Sequence, residues 1–311
     1  MLTKNIIPLS ISDGERDQAK FAQNLGACFE RYGFAVISDH GIAPAIINDA
    51  FDRTRRFFAL PEAVKKHHLV AGGGGQRGYT PFGVETAKGS ARADLKEFWH
   101  VGRQLPVGHR FTSLMPSNLH VTEITDFDAA TYRLYAAMDE LGLRLLSFIA
   151  RYLGLAAEFF SNVSEGNSIL RLLHYPPVSA TAQGVRAGAH EDINVITLLL
   201  GAEEAGLQLL DRDRRWLDID PPPDCVVVNI GDMLQRLTNA VLPSTTHRVI
   251  NPTPQRTAHP RYSMPFFQHF APDFVIETLS SCISTQRPNR YPVAITADGY
   301  LQERLAEIKL I

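Results

Sequence analysis

From Ser168 to Phe270 the chain is a succession of short apolar runs interrupted by Pro, Gly and Asp, and no long helix can be drawn through it. Runs of this length bounded by turn formers are the pattern of a sandwich or barrel. Strands are predicted over Ile169–Tyr175, Val195–Leu200, Leu207–Leu210, Trp216–Ile219, Cys225–Ile230, His247–Ile250 and Arg261–Phe270. Their number suits a double-sheet jelly roll, the double-stranded β-helix.

Ahead of them the pattern is mostly helical. Phe21, Leu25, Cys28 and Phe29 recur at helical spacing between about Arg16 and Tyr32, with Gly33 as a stop. A second helix starts at Pro44, a residue suited to a first helical turn, and carries Ile47, Phe51 and Phe58. Pro61 breaks it, and another short helix ends near His68. The longest helix is predicted over Asp126–Leu153, stopped by Gly154 and bracing one face of the sheet with its apolar stripe. Ile6–Leu9 reads as an extended arm, Phe34–Ile37 as a strand, and Ala297–Ile308 as a closing amphipathic helix. The fold class is therefore mainly β with α additions.

Composition narrows the class further. Of 311 residues, 45% are hydrophobic and 21% charged, enough to bury a sizeable core. A formal charge of −2 gives no electrostatic case for nucleic acid or an acidic membrane surface. Cys28, Cys225 and Cys282 lie far apart, which suggests neither a zinc cage nor a disulfide framework. No apolar run approaches the ~18 residues of a membrane span, and Met1–Ser10 is too short and interrupted for a signal peptide. A cytoplasmic protein without nucleic-acid or membrane partners is expected.

The strand-rich half also carries the chemistry. His190 and Asp192 are two residues apart, so in extended backbone an imidazole and a carboxylate point to one side. His247 follows Asp192 by 55 residues, enough for several antiparallel strands to return to the same place. Two nitrogens and one oxygen on one face of a metal are the facial triad of non-haem Fe(II) oxygenases. Alone, His-x-Asp would read as a turn with a solvated Asp. Arg261 and Ser263 then share a strand face, and a guanidinium fork beside a hydroxyl anchors a carboxylate. Arg171, Leu173 and Tyr175 share another face, opposite that of Leu170, Leu172 and His174. A buried Arg171 requires an anion, either an internal carboxylate or one carried by a substrate.

In these parts and their order the chain resembles the Fe(II)- and 2-oxoglutarate-dependent dioxygenases, specifically the isopenicillin N synthase-like group. Tyr32-Gly33-Phe34-Ala35-Val36-Ile37-Ser38-Asp39-His40-Gly41-Ile42 is similar to that group's GFF-x-(I/V)-x-NHGI segment. Arg77 to Gly83 and Asp94-Leu95-Lys96-Glu97 resemble its GY-x-P-x-G and DLKE stretches. The resemblance implies one structural domain, 1–311. Within it lie an N-terminal dioxygenase region (1–125), a bracing helix (126–166), a jelly-roll Fe(II)/2-oxoglutarate-binding region (167–275) and a C-terminal segment with its closing helix (276–311). It implies that the N-terminal helices pack around the barrel.

The resemblance further implies Fe(II) on His190, Asp192 and His247, and dioxygen and 2-oxoglutarate as cosubstrates, with ascorbate a reductant in vitro. The distal carboxylate of 2-oxoglutarate would sit on Arg261 and Ser263, with the Tyr175 hydroxyl nearby. Many members have Asn where this chain has Leu173, which removes one polar contact to the cosubstrate. A small-molecule substrate would be oxidised, by hydroxylation, desaturation or ring closure, with Arg171 and Phe267 as candidate contacts. Three other outcomes fit the same motifs: an isopenicillin N synthase-type oxidase that does not use 2-oxoglutarate, ethylene-forming fragmentation of it, and a metabolite-binding barrel without turnover.

Other residues are expected to do less. Glu191 should point away from its neighbours and His174 away from the metal, while His67, His68 and His100 read as solvated or core histidines. Gly231-Asp232 is expected to form a turn. Ala71 to Gly75 reads as a mobile loop at the cavity mouth, with Glu85-Thr86 as an occasional substrate contact.

Overall fold

Two-residue alternation sets the layering. The computed structural model describes residues 6–73, 75–85, 94–177, 185–200, 206–251 and 259–307. In chain order its strands are β1 (Leu9–Ser10), β2 (Phe34–Ser38), β3 (Gly78–Thr80), β4 (Glu97–Gly102), β5 (Ile169–Tyr175), β6 (Ala187–His190), β7 (Ile196–Leu200), β8 (Leu207–Leu210), β9 (Trp216–Asp218), β10 (Val226–Ile230), β11 (His247–Val249), β12 (Arg261–Gln268), β13 (Val275–Ile276) and β14 (Ile295–Thr296). The helices are α1 (Ile11–Arg16), α2 (Gln18–Tyr32), α3 (Pro44–Phe58), α4 (Glu62–Lys66), α5 (Phe127–Tyr152), α6 (Asp232–Leu237) and α7 (Ala297–Glu307).

Among the described residues an eight-stranded sheet runs β1-β2-β10-β7-β12-β5-β4-β3, and a four-stranded sheet runs β6-β11-β8-β9. Ala35, Ile37, Leu170, Leu172, Val226, Val228 and Phe266 point from the large sheet into the core built with α2, α3 and α5. Their strand neighbours Phe34, Val36, Leu173, Tyr175 and Val227 belong to a second core, shared with Leu207, Leu209 and Val249 of the small sheet. The large sheet is thus covered on both faces, which is why its strands read as near-continuous apolar runs. The result is a double-stranded β-helix with helices on its outer face.

The helices end where the sequence places their stops. Asp17 caps α2 by accepting the Lys20 N–H at 3.0 Å, and this cap separates α2 from the unpredicted α1. Gly33 closes α2 at φ 68°, and a Cβ there would stand 2.6 Å from the Pro243 carbonyl oxygen. Only glycine meets both demands.

Two expectations need correction. The N-terminal region does more than pack helices around the barrel: β1 to β4 supply half of the larger sheet. β3 and β4 escaped the periodicity reading because Glu97 and His100 are polar yet buried, which hides the apolar run. Gly231-Asp232 does not form a simple turn. Asp232 opens α6, donates its N–H to the Asp192 carbonyl at 2.7 Å, and pairs with Arg304 of α7 at 3.4 Å. No described helix is long and apolar enough to cross a membrane.

Candidate active site

The small sheet brings the predicted metal ligands together. His190 ends β6 and pairs directly with His247 at the start of β11. Asp192 lies two residues beyond, and one ligand atom from each of the three falls within 4.8 Å of the others. Each imidazole is oriented by its far nitrogen. His190 Nδ1 donates to the Gly188 carbonyl at 2.8 Å, and His247 Nδ1 donates to the Thr245 carbonyl at 3.1 Å. A carbonyl only accepts, so both Nδ1 atoms carry a hydrogen and both Nε2 atoms are turned toward Asp192.

Asp192 is prepared in the same way. Its Oδ2 accepts from Thr197 Oγ1 at 2.5 Å and from Asn229 Nδ2 at 2.8 Å. Its Oδ1 faces His190 Nε2 at 3.7 Å and His247 Nε2 at 3.8 Å. Burial alone would raise the Asp192 pKa, but the two imidazoles and these hydrogen bonds outweigh it and the pKa falls. Burial, then the neighbouring His247, lowers His190 to about 4. A carboxylate and two imidazoles, each with one atom turned toward a common point, fit a divalent metal with mixed N/O preference.

The predicted carboxylate anchors also come together. Arg261 stands opposite Tyr175, and Ser263 opposite Leu173, in the antiparallel β12–β5 pairing. Arg261 Nη1 donates to Ser263 Oγ at 3.0 Å, and its guanidinium carbon lies 5.0 Å from the Tyr175 ring centre. All three are buried, beyond the cavity rather than on its lining.

That cavity, of about 760 Å³, opens beside His190 and Asp192 and is walled by alternate residues of β4 and β5. Phe98 and His100 face it from β4 with Lys96 just before that strand, Ile169 and Arg171 from β5, and Phe267 from β12. Arg171 lies between Phe98 and Phe267, its guanidinium carbon 4.2 and 5.2 Å from their ring centres. The predicted anion for Arg171 is internal, since Glu85 accepts from its Nη1 at 3.2 Å. Lys96 Nζ meets the same Glu85 at 2.6 Å and Asp94 at 2.8 Å. Burial would raise the Glu85 pKa, but Arg171 and Lys96 hold it far below the carboxylate range, while Glu85 and Asp94 push Lys96 up to about 12 against its own burial.

Several of these roles were missed. His100 is a core histidine, as expected, and it also lines the cavity: its Nδ1 faces the Gly75 carbonyl at 2.5 Å and its Nε2 accepts from Arg171 Nε at 2.6 Å. The DLKE stretch divides by strand phase. Asp94 and Lys96 serve the cavity side, where Asp94 Oδ1 accepts the Gly188 N–H at 2.9 Å, two residues before His190. Glu97 points the other way, to Lys65, Tyr79 and His174. His174 thus faces away from the metal group. Glu191 takes no part in that group and accepts the Thr246 hydroxyl at 2.8 Å. Gly72 and Gly75 border the cavity, whereas Gly74 and Thr86 lie outside the described residues.

Comparison with known proteins agrees with this geometry. The family model described as the 2OG-Fe(II) oxygenase superfamily matches residues 166–270, and that of the non-haem dioxygenase N-terminal region in morphine synthesis matches residues 5–123. A 2-oxoglutarate-Fe(II) type oxidoreductase of Aspergillus fumigatus is 32% identical over 302 residues, covering 93% of this chain and 88% of that protein. A 2OG-Fe(II) oxygenase family protein from Caulobacter crescentus superposes with a TM-score of 0.92 at 56% identity, over 98% of this chain and 100% of the other. A full-length Neurospora crassa protein, solved in complex with alpha-KG and thymine, gives a TM-score of 0.85 at 28% identity, over 98% of each chain. The chain therefore belongs to the 2OG-Fe(II) oxygenase superfamily and is a 2-oxoglutarate-dependent dioxygenase.

Proposed function

We propose that His190, Asp192 and His247 hold the iron, that Arg261 and Ser263 with Tyr175 hold the distal carboxylate of 2-oxoglutarate, and that the adjoining cavity takes a small planar substrate. The observation that carries this reading is the set of three converging ligand atoms, two Nε2 and one Oδ1, whose partner atoms are committed to other hydrogen bonds. Iron with 2-oxoglutarate and dioxygen supplies oxidative decarboxylation coupled to oxidation of a C–H bond. The chain supplies the rest. Gly188 and Thr245 orient the imidazoles, and Thr197 and Asn229 fix the carboxylate.

On the substrate side, Phe267 offers an aromatic ring and Arg171 a guanidinium close to two rings. The likeness to the Neurospora crassa protein, solved with thymine beside alpha-KG, supports a ring-bearing substrate of that size. Hydroxylation is the outcome we assign.

The test is succinate formation by protein supplied with Fe(II), 2-oxoglutarate, ascorbate and dioxygen. Slow uncoupled turnover is expected in the native chain. In Asp192→Ala it should fall on the order of a thousandfold, since the metal's contribution is several kcal/mol. Iron binding without any succinate, and without a change in the iron's absorption on adding 2-oxoglutarate, would defeat the assignment.

A further inference from the structure

The cavity wall carries two polar side chains for which the chemistry above has no use. Asn167 and His269 both line the cavity, and each is only 7% exposed. Strand pairing runs from Arg261 opposite Tyr175 to Phe267 opposite Ile169. Just past these strand ends the His269 N–H donates to Ser168 Oγ at 3.2 Å, which brings His269 next to the residue that follows Asn167. Both side chains therefore reach one cavity from neighbouring stretches of chain.

Their hydrogen-bonding sense is fixed by their neighbours. Arg77 Nη2 donates to Asn167 Oδ1 at 2.9 Å. A guanidinium can only donate, so the amide oxygen must face it, which leaves Nδ2 as a donor with no partner among the described residues. His269 Nδ1 faces the Phe267 carbonyl at 3.2 Å and must carry the hydrogen, which leaves Nε2 as a bare acceptor. Burial lowers His269 to about 4, so this lone pair is available at neutral pH.

The charges around the wall differ in how they are met. Arg77 is buried, donates to the Gln76 carbonyl at 2.7 Å and to Asn167, and has an Nε without a partner. Its charge polarises the Asn167 amide and strengthens the Nδ2 donor. On the facing wall, the cations of Lys96 and Arg171 are matched by the carboxylates of Asp94 and Glu85. No surplus cation there calls for a substrate carboxylate.

We propose that Asn167 and His269 form a substrate-reading pair for a neutral molecule presenting an amide-type acceptor and donor side by side, a cyclic amide or imide whose ring lies against Phe267. The substrate's carbonyl accepts from Asn167 Nδ2, and its N–H donates to His269 Nε2. This rests on the reading of the cavity as the substrate pocket.

Calorimetry on protein loaded with Mn(II) and 2-oxoglutarate tests it without turnover. The probes are thymine, uracil and 2-pyrrolidinone as neutral cyclic amides, against orotate and cyclohexanecarboxylate as ring carboxylates. At least one neutral probe should bind, and more tightly than either acid. Asn167→Asp, which keeps a partner for Arg77, and His269→Phe should each weaken that probe about tenfold, the equivalent of about 1.4 kcal/mol for one lost hydrogen bond. Binding of 2-oxoglutarate by each variant reports that it is folded. Failure of every neutral probe, tighter binding of the acids, or native affinity in both variants would overturn the proposal. Succinate formation is read separately, so this pair can fail while the assignment of iron and 2-oxoglutarate stands.

Discussion

At one end of the β5–β12 pair, Arg261 faces Tyr175 and Ser263 faces Leu173; at the other, Phe267 faces Ile169, with His269 and Asn167 a step beyond. The same two strands thus carry two kinds of recognition. The first end is charged, buried among apolar side chains of both sheets, and suited to the invariant carboxylate of a cosubstrate. The second borders the open cavity, where Lys96 and Arg171 are already matched by Asp94 and Glu85. What is common to a reaction can be anchored by a full charge in a closed site. What distinguishes one substrate from another is read by neutral donors and acceptors, whose loss of a partner is penalised without a large desolvation term.

The comparison breaks if the charged end does not dominate cosubstrate binding. Arg261→Ala should raise the KM for 2-oxoglutarate about a hundredfold, because removing one member of a buried charge pair costs about 2–5 kcal/mol in typical interfaces. Initial rates of succinate formation against 2-oxoglutarate concentration measure it. A KM within about threefold of native would move the carboxylate site elsewhere. The metal end is sharpened by Thr197→Val, which removes one of the two hydrogen bonds to Asp192 Oδ2 while keeping side-chain shape. Metal affinity should drop by about 10- to 100-fold, read by competition with a chelating dye. Native affinity would mean that Asn229 alone orients the carboxylate.

These two variants also mark how far the sequence could be read. His190, Asp192, Arg261 and Ser263 were legible because each pair is set two residues apart, and extended backbone turns that spacing into a shared face. The jelly roll was legible from its short strands. Thr197 and Asn229 were not, because they stand opposite each other on β7 and β10, and that pairing exists only once the register is set. The links of His100 and Glu85 to Arg171 were not legible for a related reason: Arg171 lies 71 residues from His100 and 86 from Glu85. β4 was hidden by its own polar residues, whose burial makes sense only after their partners are known. Asn167 and His269 lie just outside the regular strands, where alternation no longer guides the eye.

A smaller change should shift the substrate end toward the character of the other. Glu85→Gln removes the carboxylate shared by Lys96 and Arg171, and so leaves an unmatched cation on the cavity wall. The preference for neutral over acidic probes should then fall about tenfold, consistent with a partly screened charge pair of about 1.4 kcal/mol. Calorimetry with thymine and orotate compares the two proteins directly. If the ratio stays fixed, Arg171 does not face bound ligand and the neutrality of this wall is incidental.

The finest test lies at Leu173, where the family resemblance leads to an expectation of Asn. Leu173 is buried, opposite Ser263, and packs with Phe98 and Tyr175. An Asn there would bury an amide with no assured partner, lowering stability by about 1–3 kcal/mol in the free protein. Once 2-oxoglutarate occupies the anchor, the amide gains an acceptor and part of that loss is returned. Leu173→Asn should therefore unfold at a lower temperature than the native chain, yet gain more on adding 2-oxoglutarate with Mn(II). Its KM for 2-oxoglutarate should change by less than about tenfold, one hydrogen bond against a guanidinium. Equal thermal gains in both proteins would place position 173 out of reach of the cosubstrate, and the departure at Leu173 would then be a matter of packing between the sheets alone.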